Sequence, residues 1–215
     1  MRRKIIKYVL SILLIVFIAY HSVYFEKLDT VKRASSSKGF EANLHANDFY
    51  NNKLLPHLGN AVELGALISL LKTEPGKAFK EYSHALGLGN IRYFLVQGEG
   101  IISSVGVDAV SVSLSNNATT TAITITTEFV YGNAIRDASG LINLNDFRNT
   151  ADLNSLSEEI NEIVRKDVVS PFKQKAERGR VVKFTGAIEL NQAHLDMDAI
   201  EILPIQLAIL NNPSN

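Results

Sequence analysis

Tyr93-Phe94-Leu95-Val96-Gln97-Gly98-Glu99-Gly100-Ile101-Ile102 is the stretch where the chain changes period. Upstream, apolar residues recur every three or four positions; from Ile91 onward the period is two, that of a pleated strand. Gly98 and Gly100 inside the run predict a strand bent or bulged at glycine. A second strand follows through Val107, Ala109, Val110, Val112 and Leu114, closed by the turn residues Ser115-Asn116-Asn117. Ile123, Ile125 and Phe129, spaced by threonines, give a third with high strand propensity. Gly, Asn and Asp then dominate from Gly132 to Asn149, which reads as a loop. Leu153, Leu156, Ile160, Ile163 and Val164 mark an amphipathic helix capped near Thr150 and interrupted at Ser170-Pro171. Val181 to Leu190 and Met197 to Leu210 read as two closing strands, the last broken or edge-placed at Pro204.

Three strands, one helix and two more strands is the order of the oligonucleotide/oligosaccharide-binding (OB) barrel. Gly98, Gly100 and Gly186 fit such a barrel, whose strands bend sharply to close. A generic five-stranded sheet with a covering helix explains the same order and stays open. The expected class is α+β: an N-terminal transmembrane helix, a small helical segment, then a five-stranded OB-like barrel with a helix between strands three and four. The segments fall at 1–25 (cytoplasmic start and anchor), 26–39 (polar linker), 40–89 (helices) and 90–215 (barrel).

Within 40–89, Asn43 or Asn47 is a candidate cap for a helix carrying Phe49, Tyr50 and Leu54, limited or kinked by Pro56. Leu64, Leu67, Ile68 and Leu71 share one helical face, suited to packing on the barrel; self-pairing of residues 44–86 into a dimer is the other use of such a face. Thr73-Glu74-Pro75 starts a new helix with Phe79, Tyr82 and Leu86 on its apolar side, ended by Gly87 and Gly89.

The first residues decide location. Ile5 to Phe25 is nearly all apolar, and roughly 21 residues at about 1.5 Å each span about 31 Å, close to a bilayer's hydrocarbon thickness. Arg2, Arg3, Lys4 and Lys7 at its head keep the N-terminus in the cytoplasm and send the remaining chain outward. The expectation is therefore a single-pass anchor in the inner (cytoplasmic) membrane, with the domain facing the periplasm or exterior. A cleaved signal peptide is the alternative, disfavoured because residues 19–25 lack a pair of small residues two apart.

Composition removes several functions. The net charge is +0, which gives no footprint for nucleic acid. No cysteine is present, so there is no disulfide, thiolate nucleophile, thiolate metal site or lipid-bearing thiol. With no tryptophan, aromatic platforms for carbohydrate are thin. His45, His57, His84 and His194 lack metalloprotease spacing, and no serine sits in a Gly-x-Ser-x-Gly context. No cofactor, metal or catalytic residue is expected.

Gly132-Asn133-Ala134-Ile135-Arg136-Asp137-Ala138 and Ile142-Asn143-Leu144-Asn145-Asp146-Phe147 resemble the motif of the predicted periplasmic lipoproteins called domain of unknown function 2291. Val182-Lys183-Phe184-Thr185-Gly186-Ala187 and Leu203-Pro204-Ile205-Gln206-Leu207 resemble that family's fourth and closing strands, and Phe49 to Pro56 its early helix. The resemblance implies an exported, membrane-tethered domain, often encoded near sugar-type ABC transporter genes, with no established activity. The chain departs from it in carrying an apolar stretch where the lipid-bearing cysteine would be.

The candidate ligand or partner site is the loop's Arg136, Asp137, Asn143, Asn145, Asp146 and Phe147. An Arg there grips carboxylates, phosphates or sugar hydroxyls through a rigid fork of donors. The competing role is structural: Arg136 and Asp137 pairing with neighbours, or with Asp146, to order a long loop. Asn143, Asn145 and Asp146 lack the acidic pattern of a calcium loop and suit turn chemistry better. The expected function is a membrane-tethered binding or adaptor protein without catalysis, with ABC transporter components or a small sugar-like ligand as partner. The alternative is an envelope glycan or sugar-processing enzyme, with Asp137 or Asp146 as acid/base, which needs the two carboxylates in one cleft.

Overall fold

The computed structural model describes residues 10, 12–15, 17, 40–116 and 119–210. Two compact units divide the chain, Met1–Gly39 and Phe40–Asn215. In the first, Leu10, Ile12 to Ile15 and Phe17 are helical. Among the described residues no helix is long and apolar enough to cross a membrane, which overturns the expected transmembrane helix and, with it, the single-pass anchor. The remaining residues of that apolar stretch, and the expected linker at 26–39, lie outside the described residues.

The second unit begins with α1 (Ala42–Asp48), which runs on through a π-helical stretch, Phe49–Leu54, and one more turn, Leu55–His57. Glu41 precedes α1 without a side-chain cap, so neither Asn43 nor Asn47 caps it; both lie inside, bonded to each other on an exposed face. A two-residue β1 (Val62–Glu63) leads into α2 (Leu64–Thr73), whose cap is the Glu63 carboxylate accepting from the Ala66 N–H. Pro75 opens α3 (Pro75–Tyr82) as expected, but α3 stops at Tyr82. Ser83 is extended, and β2 (Ser83–His84) pairs with the next strand before Gly87 is reached.

Five strands build the barrel: β3 (Ile91–Val105), β4 (Ala109–Asn116), β5 (Thr119–Thr126), β6 (Val181–Asn191) and β7 (Glu201–Leu210). Their order is β3-β4-β5-β7-β6, and β6 pairs back along β3 from Ile91 to Ile101, closing the barrel. The β5–β7 seam is parallel and short, joining Thr124–Ile125 to Glu201–Ile202. Phe129 lies beyond β5 and Val107 in the turn before β4, both exposed.

The strand glycines act by close approach. A Cβ on Gly100 would lie 2.8 Å from the Ser113 carbonyl oxygen, and one on Gly186 2.6 Å from that of Leu203. The register shift of β3 falls between Ile102 and Ser104, not at a glycine. In β7, Pro204 sits opposite Gly186 where the ladder skips Ile205, so proline's missing N–H falls at a bulge, where it costs least.

Between β5 and β6 the chain forms α4 (Ala134–Asp137), a 3-10 turn at Leu144–Asp146, and the long α5 (Thr150–Ile163). Asn149, not Thr150, caps α5 by accepting from the Asp152 N–H at 2.9 Å. The expected break at Ser170-Pro171 is absent: α5 passes through a π-helical stretch, Val164–Val169, into α6 (Ser170–Lys173). Both π stretches end two residues before a proline, Pro56 or Pro171. Proline clashes with the carbonyl four residues back and donates no hydrogen bond, and a widened turn relieves both problems.

Two cores result. Inside the barrel, Phe94, Val96, Ile125, Phe184 and Ile202 pack with Leu64, Leu67, Ile68 and Leu71 of α2, so this helical face is used on the barrel. Phe79 of α3 meets Phe94 edge-on at 5.3 Å. Outside it, Leu95, Ala187 and Ile205 turn the opposite way and pack under Phe49, Leu54, Ile135, Leu156 and Ile160.

Candidate functional site

The loop expected from Gly132 to Asn149 holds two unlike halves. In the first, Arg136 and Asp137 sit on the single turn of α4 and are 3% and 5% exposed. Arg136 Nε donates to Asp137 Oδ1 at 2.6 Å and Nη2 to Oδ2 at 3.1 Å, a bidentate pair between adjacent residues. Nη1 donates to the Leu153 carbonyl at 3.0 Å and to Ser157 Oγ at 2.8 Å, both on α5. Four of the guanidinium's five N–H groups are thereby committed.

The chain leading into α4 is pinned from the same helix. Asn161 Nδ2 donates to the Gly132 carbonyl at 2.9 Å, and Arg165 Nη1 to the Val130 carbonyl at 2.6 Å. Arg165 also lies over the Tyr131 ring, 5.0 Å from its centroid. Ser157, Asn161 and Arg165 were not singled out by sequence reasoning. Their spacing of four, a polar stripe beside the apolar one, is the signal that identifies them.

The second half is a solvated turn. Asn143, Asn145 and Asp146 are exposed, with Asn143 Oδ1 accepting from the Asn145 N–H at 3.0 Å. Phe147 is half-buried, edge-on to Phe40 at 6.0 Å. Of the six residues expected to form one site, Arg136 and Asp137 line one cleft and the other four do not line it; Leu144 is what the second turn contributes to it. Asp137 is buried and paired while Asp146 is exposed and outside the cleft, so the two acids required for glycan hydrolysis do not share it.

That cleft, about 400 Å³, lies between residues 85–89, the start of β3, α4 and the first turn of α5. Tyr93, Asn133, Thr150 and Asn154 add polar groups to the Arg136–Asp137 wall. Burial, and then the Glu189 and Asp137 carboxylates, raise the Tyr93 phenol above its usual range, so it is a protonated donor at neutral pH. Leu88, Ile91 and Leu144 are exposed apolar side chains at the same cleft. Behind the wall, Gly140 takes a positive φ of 68° and presses on the His84 ring, where a Cβ would come within 2.5 Å of Nδ1. Burial, then the neighbouring His57, lowers the His84 pKa. Among the described residues no group of three or more His, Asp or Glu is placed to hold a metal ion.

No curated protein matches the sequence. Among solved structures the chain is similar to the crystal structure of an OB-fold protein from Thermotoga maritima, at 25% identity and a TM-score of 0.72 over 80% of this chain and 100% of that one. The barrel closure described above and this likeness agree on the OB fold. The family model described as "Predicted periplasmic lipoprotein (DUF2291)" matches residues 13–208. Its description suggests an extracytoplasmic domain and assigns no activity. The chain therefore belongs to the DUF2291 family of predicted periplasmic lipoproteins, built on an OB-type barrel.

Proposed function

We propose that the protein is an extracytoplasmic binding or adaptor module that works without catalysis, with components of a sugar-type ABC transport system as its partner. Its contact surface is the cleft between residues 85–89, α4 and α5. The observation that carries this reading is the state of Arg136 and Asp137: each carboxylate oxygen and four of five guanidinium N–H groups are used internally, so the pair stiffens a wall and is not poised for proton transfer. Around that wall the cleft combines exposed Leu88, Ile91 and Leu144 with a few convergent polar groups, the usual make-up of a recognition site. Bare apolar side chains clustered at a concavity favour a partner that covers them. The transporter association implied by the family resemblance supplies the class of partner.

Affinity isolation of the tagged protein from crosslinked native membranes tests this, with Leu88→Asp run beside the wild type. Leu88 is fully exposed, so the substitution spares the core. Transporter subunits should accompany the wild type and be lost from the variant. Equal recovery with both proteins would remove the cleft from the reading; recovery with neither would remove the transporter.

A further inference from the structure

Among the described residues that line the cleft between residues 85–89, α4 and α5, Arg136 and Asp137 alone are charged. They cancel each other. The guanidinium and the carboxylate meet in two hydrogen bonds, at 2.6 and 3.1 Å, and both side chains are buried. A pair this close presents a small dipole to anything in the cleft, not a charge. Glu189 acts on Tyr93 from the paired position on β6, but it is exposed and outside the lining, where water and salt screen it.

The other polar groups of the cleft are neutral and unengaged. The side chains of Tyr93, Thr150 and Asn154 make no hydrogen bond to another described residue. Thr150 and Asn154 stand one turn apart on α5, both exposed. Each offers a donor and an acceptor, and Tyr93 adds a phenol. Beside them lie the exposed apolar side chains of Leu88, Ile91 and Leu144. A charged group entering here gives up hydration and meets no opposite charge, whereas an amide or hydroxyl finds partners of both kinds.

We propose that the cleft recognises an uncharged segment of its partner: an apolar side chain covers Leu88, Ile91 and Leu144 while an adjacent amide or hydroxyl bonds to Tyr93 and Asn154. This rests on the cleft being the contact surface and names what the partner brings to it. Such a contact gains nothing from long-range attraction, so it holds equally at low and high salt.

Three isosteres test the selectivity: isobutyramide, isobutyrate and isobutyramidinium share an isopropyl group and a planar head, and are neutral, anionic and cationic. Each is small, so binding is read at about 100 mM from the amide NMR shifts of the isotope-labelled full chain. Isobutyramide should move the amides of Leu88, Ile91 and Asn154 and bind about tenfold more tightly than either charged isostere. Tyr93→Phe, which removes one unengaged hydroxyl, should weaken it about threefold. Asn154→Asp puts a single charge on an exposed helical position and should turn the preference to the amidinium. The proposal is overturned if a charged isostere binds the wild type as well as the amide does, or if isobutyramide at about 100 mM moves none of these residues. Either result leaves the transporter contact to the affinity isolation, and a missing transporter there leaves the selectivity of the cleft standing.

Discussion

The two halves of the segment from Gly132 to Asn149 are made of similar residues and have opposite fates. Arg136 and Asp137 are swallowed by the fold, with every strong contact turned inward. Asn143, Asn145 and Asp146, a few residues on, are left to water on a turn that bonds mainly to itself. Polar residue type does not separate the halves; what separates them is which one lies under α5. The buried half makes a wall and the exposed half is free to vary. A site built here rests on the first for shape and takes little from the second beyond Leu144.

Removing the guanidinium gives the sharpest contrast. Arg136→Ala leaves Asp137 charged, buried and unpaired, and should cost about 3–5 kcal/mol in denaturant unfolding. Asp146→Ala, measured the same way, should stay within about 0.5 kcal/mol. Replacing the pair together, Arg136→Met with Asp137→Leu, should recover most of the loss, because a buried ion pair is weak net stabilisation. If Arg136→Ala is as mild as Asp146→Ala, the two halves are not different in kind.

Asn149 lies at the junction between the exposed turn and α5, and its loss tests how firmly the helix under the wall is started. Asn149→Ala removes the cap on the Asp152 N–H and should cost about 1 kcal/mol. Asn145→Ala removes no cap and should cost a few tenths at most.

The smallest effect is one of pH and acts on the buried half alone. His84, set against Gly140, has a folded pKa below its unfolded value of about 6.5, so the fold prefers its neutral ring. That contribution is present above pH 6.5 and is lost as pH falls through the lower folded value. Because the ring is substantially exposed, the loss should be slight. Protection factors at residues 138–141, with the intrinsic pH dependence of exchange divided out, should fall below pH 6.5 in the wild type and not in His84→Gln, with those of residues 143–146 unchanged in both.

Much of this was readable from the chain. Alternation in β4 and β5, the strand–helix–strand order and the apolar face of α2 each follow from local pattern, because each of these elements keeps one face against the core. Helix ends were less legible. Pro171 and Pro56 read as breaks because a proline's cost is local, while the widened turn that absorbs it depends on packing either side. Gly87 read as the end of α3, but pairing of Ser83 and His84 with β3 takes the chain away sooner. For Arg136 and Asp137 the sequence leaves a binding and an ordering role both open, and it does not show that the two pair with each other. Adjacent helical residues point about 100° apart, and only a long side chain folding back under α5 brings them together. The apolar stretch near the N-terminus matches a bilayer in length on paper, yet among the described residues no helix is long and apolar enough to cross one.

Phe94, Leu95 and Val96 have a consequence for how the domain melts. The first and third belong to the barrel's interior and the second to the layer beneath α1 and α5, and Ala187 and Ile188 on β6 divide the same way. Loosening the outer layer tugs on the very strands whose other side is the barrel core. The helices and the barrel therefore share one cooperative transition, and a calorimeter would record a single endotherm whose van't Hoff and measured enthalpies agree.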